Sequence, residues 1–428
     1  MNKISTNKTS SKASEKSLPF GELGGALSLL GLNPDAQGAI AFPIYRNASF
    51  EFPDSESIAE AFQTRPDWHT YSRISNPTVA NFEQKVKSVS GAESVIALSS
   101  GMAAITNTFF AMAYAGSNIV SSPHLFGNTF SFFKATLSAF GVEVRFVDTN
   151  DLQQIANAID ENTCAFFAEI LTNPHLEIAD LPAISNILKA KNIPMIIDTT
   201  LIPWFAYDAK KLGIDLEVVS TTKYISGGAT SLGGVIVDYG IFDWQTNKKL
   251  GTLPEQKGIS RFAFKLRSEI VRNLGATMTP DTAYLHALGL ETLQVRFSQM
   301  SRSAYELAHY FSTHPKISKV NYPKLEVSPY KSLSNKIFTE NPSAMFTINL
   351  ASKRDCYKFM DNLKIFRRAT NLFDNKSLVI HPESTIYCPF SPEMKRVMGI
   401  EDTLVRFSVG LENVEDLKQD IENSLNNV

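Results

Sequence analysis

The sequence predicts an α/β fold in which a mainly parallel central sheet is followed by a smaller C-terminal α+β domain. Between residues 66 and 275, short apolar segments alternate with segments of helical spacing, a rhythm typical of βαβ units. From residue 276 the pattern changes to one long or broken helix, then separated strand-like segments and a final helix. The 428 residues, 43% of them hydrophobic, are enough for two or three domains with large cores.

The elements of residues 66–275 follow from the apolar segments in order. Seven strands are predicted: SVIALSS (94–100), SNIVSS (117–122), VEVRFVD (142–148), CAFFAEI (164–170), IPMIID (193–198), LEVVS (216–220) and GGVIVD (233–238). Helical spacing between them predicts helices in GMAAITNTFFAMA (101–113), TFSFFKATLSAF (129–140) and LPAISNILKAK (181–191). Strands that are apolar on both faces indicate a sheet covered on both sides.

The predicted domain of residues 276–428 begins with a helical stretch at 282–314. Three strands are then predicted in MFTINL (345–350), SLVIHP (377–382) and TLVRFSVG (403–410), before a last helix in VEDLKQDIENSL (414–425). At the other end, residues 1–18 are polar and predict a disordered tail, without the apolar centre of a signal peptide. Residues 19–65 are irregular and predict an arm that contacts a neighbouring subunit.

Composition excludes several classes of partner. The 41 Lys and Arg against 43 Asp and Glu give a formal charge of -2, which gives no reason to expect nucleic acid or an anionic membrane. No apolar run approaches the roughly 18 residues of a membrane span. Three scattered cysteines form neither a metal-ligand spacing nor a disulfide framework. The sequence therefore predicts a cytoplasmic protein without a metal site.

The first predicted strand ends in a possible anion-binding turn. Ligands bind at the carboxyl ends of strands in open α/β sheets. In SSGMAAI (99–105), Ser99, Ser100 and Gly101 turn the chain from strand into helix, and the backbone N–H groups of Gly101 and Met102 face any anion at the helix N-terminus. A serine-capped turn that binds nothing is equally compatible with this pattern.

Two further strand ends carry charged residues. Asp198 directly follows an apolar strand and needs a cationic partner if it is desolvated, although a lone aspartate here is more often a cap or turn residue. Lys223 follows LEVVSTT; it can extend to the surface, or burial can lower its pKa and make its amine a nucleophile for Schiff-base formation. Ser220 and Thr222 offer hydroxyls to a phosphate, and glycines at 227, 228, 233 and 234 leave room for a flat ligand.

The three strand ends together match one cofactor, pyridoxal 5′-phosphate (PLP). PLP needs a lysine for its aldehyde, a carboxylate for its ring nitrogen, and a helix N-terminus with hydroxyls for its phosphate. The sequence supplies them in the order phosphate turn, Asp198, Lys223. Each feature is weak alone, but the joint pattern predicts a PLP site.

These residues lie in segments that resemble a known family. YSRISNPT (71–78), LSSGMAAI (98–105), STTKY (220–224) and LVRFSVGLE (404–412) are similar to motifs of the Cys/Met-metabolism family of PLP-dependent enzymes. Residues 262–293, 314–326 and 371–385 most resemble its O-acetylhomoserine sulfhydrylase branch. The resemblance, from about residue 40 to the C-terminus, implies a PLP-dependent transferase fold of the aspartate-aminotransferase type (fold type I).

The resemblance also implies how the cofactor is held. Lys223 would bind the cofactor aldehyde, Asp198 would pair with the ring nitrogen, and Asn173 would lie near the phenolic oxygen. The phosphate would be bound by Ser100, Gly101, Met102, Ser220 and Thr222. Tyr71 and Arg73 would reach the phosphate of a neighbouring subunit, so that the active sites are built by a dimer and the enzyme is a homo-oligomer, expected to be a tetramer.

Substrate binding and reaction are implied in the same way. Arg406 would grip the substrate carboxylate as a bidentate pair, helped by Asn371. Phe126 stands where the family usually has a catalytic tyrosine; its ring can stack on the cofactor, but it has no hydroxyl to move a proton. The family histidine is replaced by Gly228, and the usual asparagine by Thr199. Asn128 stands where γ-lyases tend to have cysteine.

The resulting hypothesis is γ-replacement on O-acetyl-L-homoserine with sulfide or a thiol, which gives homocysteine or methionine plus acetate, in sulfur amino-acid metabolism. One alternative is a PLP-dependent lyase that breaks C–S bonds, of the methionine γ-lyase or cystathionine lyase type. Another is a non-catalytic PLP-binding relative, suggested only by Phe126 and Gly228. The sequence alone does not separate replacement from elimination.

Overall fold

The computed structural model of the chain describes residues 38–63, 68–255 and 258–428. The predicted polar tail (1–18) and the first part of the predicted arm lie outside these residues. The described part of the arm contains helix α1 (Ser55–Gln63). Before this helix, Ser49 forms an isolated antiparallel bridge with Tyr71. Contact of the arm with another subunit stays a prediction.

The larger sheet contains seven strands in the described part of the chain. They are β1 (Ser94–Leu98), β2 (Asn118–Ser121), β3 (Glu143–Phe146), β4 (Thr163–Glu169), β5 (Met195–Asp198), β6 (Leu216–Val219) and β7 (Gly234–Asp238). Their order is β1-β7-β6-β5-β4-β2-β3, and all neighbours are parallel except that β7 runs antiparallel to β1 and β6. Each strand lies within a predicted segment except β4, which begins one residue before it, and the mainly parallel α/β fold is confirmed.

Alternate side chains of the strands enter two different apolar cores. In β1, Val95 and Ala97 pack into one core, whereas Ile96 and Leu98 pack into the other. The strand β7 alternates in the same way at residues 235–237. Because successive strand residues point to opposite faces, a strand that is apolar throughout is buried on both faces.

Helices cover both faces of this sheet, and further helices alternate with the strands of the C-terminal part of the chain. After α1 they are α2 (Pro77–Ser90), α3 (Gly101–Met112), α4 (Gly127–Ser131), α5 (Leu152–Ala158), α6 (Leu181–Ala190), α7 (Ala209–Leu212), α8 (Arg261–Lys265), α9 (Val271–Leu274), α10 (Pro280–Glu291), α11 (Leu293–Phe311), α12 (Lys331–Ile337), α13 (Lys353–Asn362), α14 (Pro392–Val397) and α15 (Val414–Leu425). Within the described ranges, no helix combines the length and the apolar character needed to cross a membrane.

The long helical stretch predicted at 282–314 is broken into α10 and α11. The break falls at Thr292. The buried side chain of Arg296 donates to the Gly289 carbonyl at 2.6 Å and to the Thr292 hydroxyl at 3.1 Å. These bonds hold the Arg296 side chain across the break, where the Thr292 hydroxyl also donates to the Gly289 carbonyl at 3.4 Å.

A second, mostly antiparallel sheet follows the broken helix. Its strands are β8 (Lys319–Asn321), β9 (Met345–Asn349), β10 (Arg367–Arg368), β11 (Leu378–Ile380) and β12 (Leu404–Ser408), in the order β10-β11-β12-β9-β8. The last helix, α15, spans the residues predicted for it. The short strands β8 and β10 were not predicted, and the division of the chain into domains at residue 276 stays a prediction.

The two sheets meet near the carboxyl ends of β4, β5 and β6. Tyr224, just beyond β6, stacks on Phe373 with ring centroids 3.9 Å apart, and its hydroxyl accepts a hydrogen bond from the Ala344 N–H at 3.0 Å. Both aromatic residues are buried. The contact fixes the chain next to Lys223 against the C-terminal sheet.

Candidate active site

Lys223 lies four residues after the end of β6, where a 3₁₀ turn (Tyr224–Ser226) begins. Its Nζ donates to Oδ1 of Asn371 at 2.8 Å. Burial, and then the charge of Arg406, lower the pKa of Lys223 from 10.5 to about 8, against the opposing charge of Asp198. A shift of this size raises the neutral fraction of the amine near neutral pH by about 300-fold. The lysine is therefore suited to act as a nucleophile or a base.

Asp198 is the last residue of β5 and lies beside this lysine. Its Oδ1 accepts the backbone N–H of Thr200 at 2.9 Å. Burial raises the pKa of Asp198, and the hydrogen bond to Thr200 and the charge of Lys223 oppose that change. Among the described residues, no cationic side chain forms an ion pair with Asp198 at hydrogen-bond distance. A protonated ring nitrogen is the kind of partner that this carboxylate lacks.

The N-terminus of α3 faces the loop after β6. Ser100 caps the helix through its hydroxyl, which accepts the Ala103 N–H at 3.0 Å. The serine cap considered as an alternative to anion binding is therefore present. A Cβ on Gly101 would approach the Cβ of Ser220 to 2.6 Å, so only glycine allows helix and loop to pack this closely. The Thr222 hydroxyl bonds to the backbone of Gly233. Free N–H groups of a 12-residue helix and nearby hydroxyls form a cradle suited to a phosphate.

Arg406 is in the middle of β12 and is only 3% exposed. Its two terminal nitrogens donate to Oδ1 of Asn173 at 2.9 Å and to the backbone carbonyl of Asn371 at 3.3 Å, and its Nε has no partner among the described residues. Burial lowers its pKa to about 10. A buried guanidinium held only by neutral oxygens is poorly compensated, which makes it a strong candidate for binding an anion.

Phe126 is half-buried at the N-terminus of α4. Its backbone N–H donates to Oε1 of Glu169 at 2.6 Å, and the N–H of Asn173 donates to Oε2 of the same carboxylate at 3.2 Å. Burial, and then the charge of Asp198, raise the pKa of Glu169. Glu169 is not among the residues predicted from the sequence, although an acid at the end of CAFFAE is the same signal that identifies Asp198.

Two of the positions that depart from the family pattern, Gly228 and Thr199, have defined local surroundings. A Cβ at Gly228, where φ is +136°, would meet Nδ2 of Asn375 at 2.8 Å. That amide donates to the Gly227 carbonyl at 2.8 Å, so Asn375 fills the space next to residue 228. Thr199 is buried, and its hydroxyl donates to Glu217 at 3.3 Å.

The structure brings most predicted site residues together, but Tyr71 and Arg73 lie elsewhere. Tyr71 is 43% exposed, and the Arg73 guanidinium lies 5.6 Å from the centre of its ring. Arg73 also donates to the Arg272 carbonyl. Their predicted contact with the phosphate of another subunit stays a prediction.

The aldehyde reactivity of Lys223 is expected to rise with pH through about 8, because only the neutral amine attacks. An ordinary lysine, with a pKa of about 10.4, is still protonated there. The check is to treat cofactor-free protein with a small neutral aldehyde across this pH range, reduce with borohydride and quantify the Lys223 peptide by mass spectrometry. Exposed lysines in the same sample are the internal reference. A Lys223 midpoint that coincides with theirs would contradict the prediction.

Together these features fit PLP. Lys223 supplies an amine with a lowered pKa, and Asp198 a partly buried carboxylate without a cationic partner among the described residues. The α3 cradle supplies an anion site that a side chain at residue 101 would fill. Arg406 adds a second anion site close to the lysine, because both bind Asn371. The arrangement can hold a cofactor and the carboxylate of an amino acid at once.

Comparison with known proteins also indicates a PLP-dependent enzyme. The family model described as "Cys/Met metabolism PLP-dependent enzyme" matches residues 29–426. The chain is 32% identical over 410 residues to the O-acetyl-L-homoserine sulfhydrylase of Corynebacterium glutamicum, covering 92% of this chain and 94% of that protein.

Solved structures agree with the sequence relatives. A Campylobacter jejuni structure, assigned as an O-acetylhomoserine (thiol)-lyase and containing N′-pyridoxyl-lysine-5′-monophosphate, is 33% identical with a TM-score of 0.88, covering 94% of this chain and 99% of that one. The O-acetylhomoserine sulfhydrylase of the Wolinella succinogenes methionine biosynthetic pathway is 42% identical with a TM-score of 0.74, covering 82% and 98%. The chain belongs to the Cys/Met metabolism family of PLP-dependent enzymes.

Proposed function

We propose that this enzyme replaces the acetoxy group of O-acetyl-L-homoserine by sulfide or a thiol, which gives homocysteine or methionine plus acetate. The observation that carries the proposal is the convergence of Lys223 and Arg406 on Asn371: one donates to its side chain at 2.8 Å and the other to its carbonyl at 3.3 Å. An α-amino acid whose carboxylate is bound by Arg406 has its α-carbon beside the lysine amine. The relatives named as O-acetylhomoserine sulfhydrylases support the choice of substrate.

Each site residue has a role in this proposal. Bound PLP supplies an electron sink for the carbanion formed at the α-carbon. Lys223 holds the cofactor before substrate binds and afterwards moves protons at the α- and β-carbons, for which a pKa of about 8 is well placed. Asp198 would keep the proton on the ring nitrogen, and Phe126 would pack against the ring. The phosphate would be bound by Ser100, Gly101, Met102, Ser220 and Thr222, and Asn173 would lie by the phenolic oxygen.

The leaving group favours replacement on an ester over cleavage of a thioether. Residue 126 is phenylalanine, so it has no hydroxyl to protonate a departing group. Departure of a thiolate from an alkyl carbon is strongly assisted by protonation of the sulfur, whereas acetate can leave as the stable anion. The balanced reaction then exchanges a C–O bond for a C–S bond, with sulfide or a thiol as the incoming group. A lyase acting on methionine or cystathionine is therefore the less suited alternative.

We also propose a homodimer whose two active sites are shared, with dimers pairing into a tetramer. Exposed apolar side chains occur in α9, α10, α11 and the loop before β7: Leu274, Leu285, Leu288, Val295 and Leu232. Exposed apolar groups of this size support a protein interface. Tyr71 and Arg73 are exposed beside α9 and would complete the phosphate site of the other subunit. Dimers mixed from Lys223→Ala and Arg73→Ala subunits would test this, because one of their two sites keeps both native residues.

The proposal includes a cytoplasmic location. Cys164, Cys356 and Cys388 are free thiols, and the first two are buried. Free cysteines fit a reducing compartment. Sulfide and activated homoserine are small metabolites, so the substrates place no further demand on location.

The test is to incubate the purified PLP-loaded protein with O-acetyl-L-homoserine and sulfide and to measure homocysteine and acetate. Equal formation of the two products, absent in a Lys223→Ala variant, is expected. Release of 2-oxobutyrate without added thiol would instead favour the lyase. A panel with O-succinylhomoserine, methionine, cystathionine and cysteine compares the possible substrates directly.

A further inference from the structure

Two buried side chains hold one peptide group at the edge of the site from opposite ends. The N–H of the Leu125–Phe126 peptide donates to Oε1 of Glu169 at 2.6 Å. The carbonyl of the same peptide accepts from the Tyr387 hydroxyl at 3.2 Å. The peptide before Phe126 is therefore bound at both polar atoms, and its carbonyl shares the single Tyr387 hydroxyl proton with the Asn173 carbonyl.

The same two side chains also hold Asn173, but through two successive peptide groups, those on either side of this residue. Its N–H donates to Oε2 of Glu169 at 3.2 Å, and its carbonyl accepts from the Tyr387 hydroxyl at 2.8 Å. Asn173 in turn accepts the Arg406 guanidinium through its side chain at 2.9 Å. One acid and one hydroxyl thus couple the Phe126 loop to the side chain that positions Arg406.

Water cannot take over these bonds. Glu169 is 5% exposed and Tyr387 is 1% exposed. The segment that carries Tyr387 also presses on the start of α4: a Cβ at Gly127 would lie 3.2 Å from both the Ile386 carbonyl and the Phe390 ring. Burial makes each lost bond costly, because the freed peptide group would stay unpaired unless the loop moved.

We propose that Glu169 and Tyr387 are positioning residues for the reaction, which clamp Phe126 and Asn173 so that the cofactor ring and Arg406 keep their relative places. This inference rests on the proposed PLP site. Neither side chain touches substrate or cofactor in this proposal; both act through backbone atoms of other residues. The clamp joins the end of β4 to a loop more than two hundred residues later in the chain.

The two test variants are Tyr387→Phe, which removes only the hydroxyl, and Glu169→Gln, which replaces one acceptor oxygen by an amide that faces an N–H. Each is expected to lower kcat/KM for O-acetylhomoserine and sulfide about tenfold, with a rise in KM as Asn173 releases Arg406. Each is also expected to reduce the visible circular dichroism signal per bound PLP, since the ring loses its fixed neighbour. This optical readout needs no turnover.

Matched controls separate positioning from general stability. Tyr322→Phe removes another 1% exposed hydroxyl, which donates to the Ser301 and Ser343 carbonyls in the C-terminal part of the chain. Asp420→Asn removes another buried carboxylate, which accepts the N–H groups of residues 364–366. Both controls are expected to lower the unfolding temperature but to leave KM and the cofactor signal unchanged.

The double variant Glu169→Gln/Tyr387→Phe sharpens the test. If the two residues hold the same two segments, at Phe126 and at Asn173, its loss in kcat/KM is smaller than the product of the single losses. A simple product, or a cofactor signal that changes no more than in the controls, would overturn the proposal. Should Glu169→Gln fail to fold, Tyr387→Phe alone decides through KM and circular dichroism. Should the wild type not convert O-acetylhomoserine, the proposed reaction fails, while the optical comparison still tests the clamp.

Discussion

Replacing Lys223 by alanine is expected to lower homocysteine formation by about 10²- to 10⁴-fold, the range found when a general acid–base group is lost. The physical reason is that its amine has the pKa of about 8 required of a base near neutral pH. Cofactor should still bind through Asp198 and the α3 cradle, but without the covalent bond to the chain. Borohydride reduction followed by mass spectrometry measures that bond, and a homocysteine assay measures the rate.

The control for this substitution is Lys249→Ala. Lys249 is also a partly buried lysine with a pKa lowered by burial, but its Nζ donates to the Phe110 and Ala113 carbonyls at the end of α3. Its loss is expected to reduce stability and to leave covalent capture of PLP unchanged. Partial recovery of the Lys223→Ala variant by a small primary amine would support the role of base. Activity within tenfold of wild type would contradict it.

The parts of this site that the sequence predicts are those with a local signal. Lys223 and Asp198 each follow an apolar strand, and residues 99–101 form a turn into a helix, so strand ends alone placed them at one edge of a sheet. The position of Arg406 came from resemblance and from the oddity of an arginine in mid-strand. Such features depend on residues that are neighbours in the chain.

The roles that escaped prediction depend on long-range contacts, since Glu169 ends an apolar strand as Asp198 does but its partners are distant in the chain. Glu169 binds the N–H of Phe126, 43 residues away, and Tyr387 binds the Asn173 carbonyl, 214 residues away. No periodicity encodes either distance. The antiparallel direction of β7 was not predicted for the same reason. Strand direction depends on how the chain crosses the sheet, and the apolar pattern of GGVIVD is compatible with either direction. The glycine at residue 228 likewise depends on a distant residue, because Asn375 fills the space beside it.

Replacing Arg406 by lysine is expected to raise KM for O-acetylhomoserine by about 30- to 100-fold, with a smaller change in kcat. Lysine keeps the positive charge but cannot donate two parallel hydrogen bonds to a carboxylate. It also cannot reach Asn173 and Asn371 together, as Arg406 does at 2.9 and 3.3 Å. Steady-state kinetics with varied O-acetylhomoserine at saturating sulfide measures the effect.

Two comparisons decide whether the change lies in carboxylate binding. Arg296→Lys is the matched control, since Arg296 is 7% exposed and is likewise held by neutral oxygens, those of Gly289 and Thr292. It should lose stability but keep its KM. The second comparison uses the substrate's carboxamide, which lacks the charge: wild type should discriminate strongly against it, and Arg406→Lys much less. Equal discrimination by the two proteins would mean that the carboxylate binds elsewhere, and the convergence of Lys223 and Arg406 on Asn371 would then not define the substrate's place.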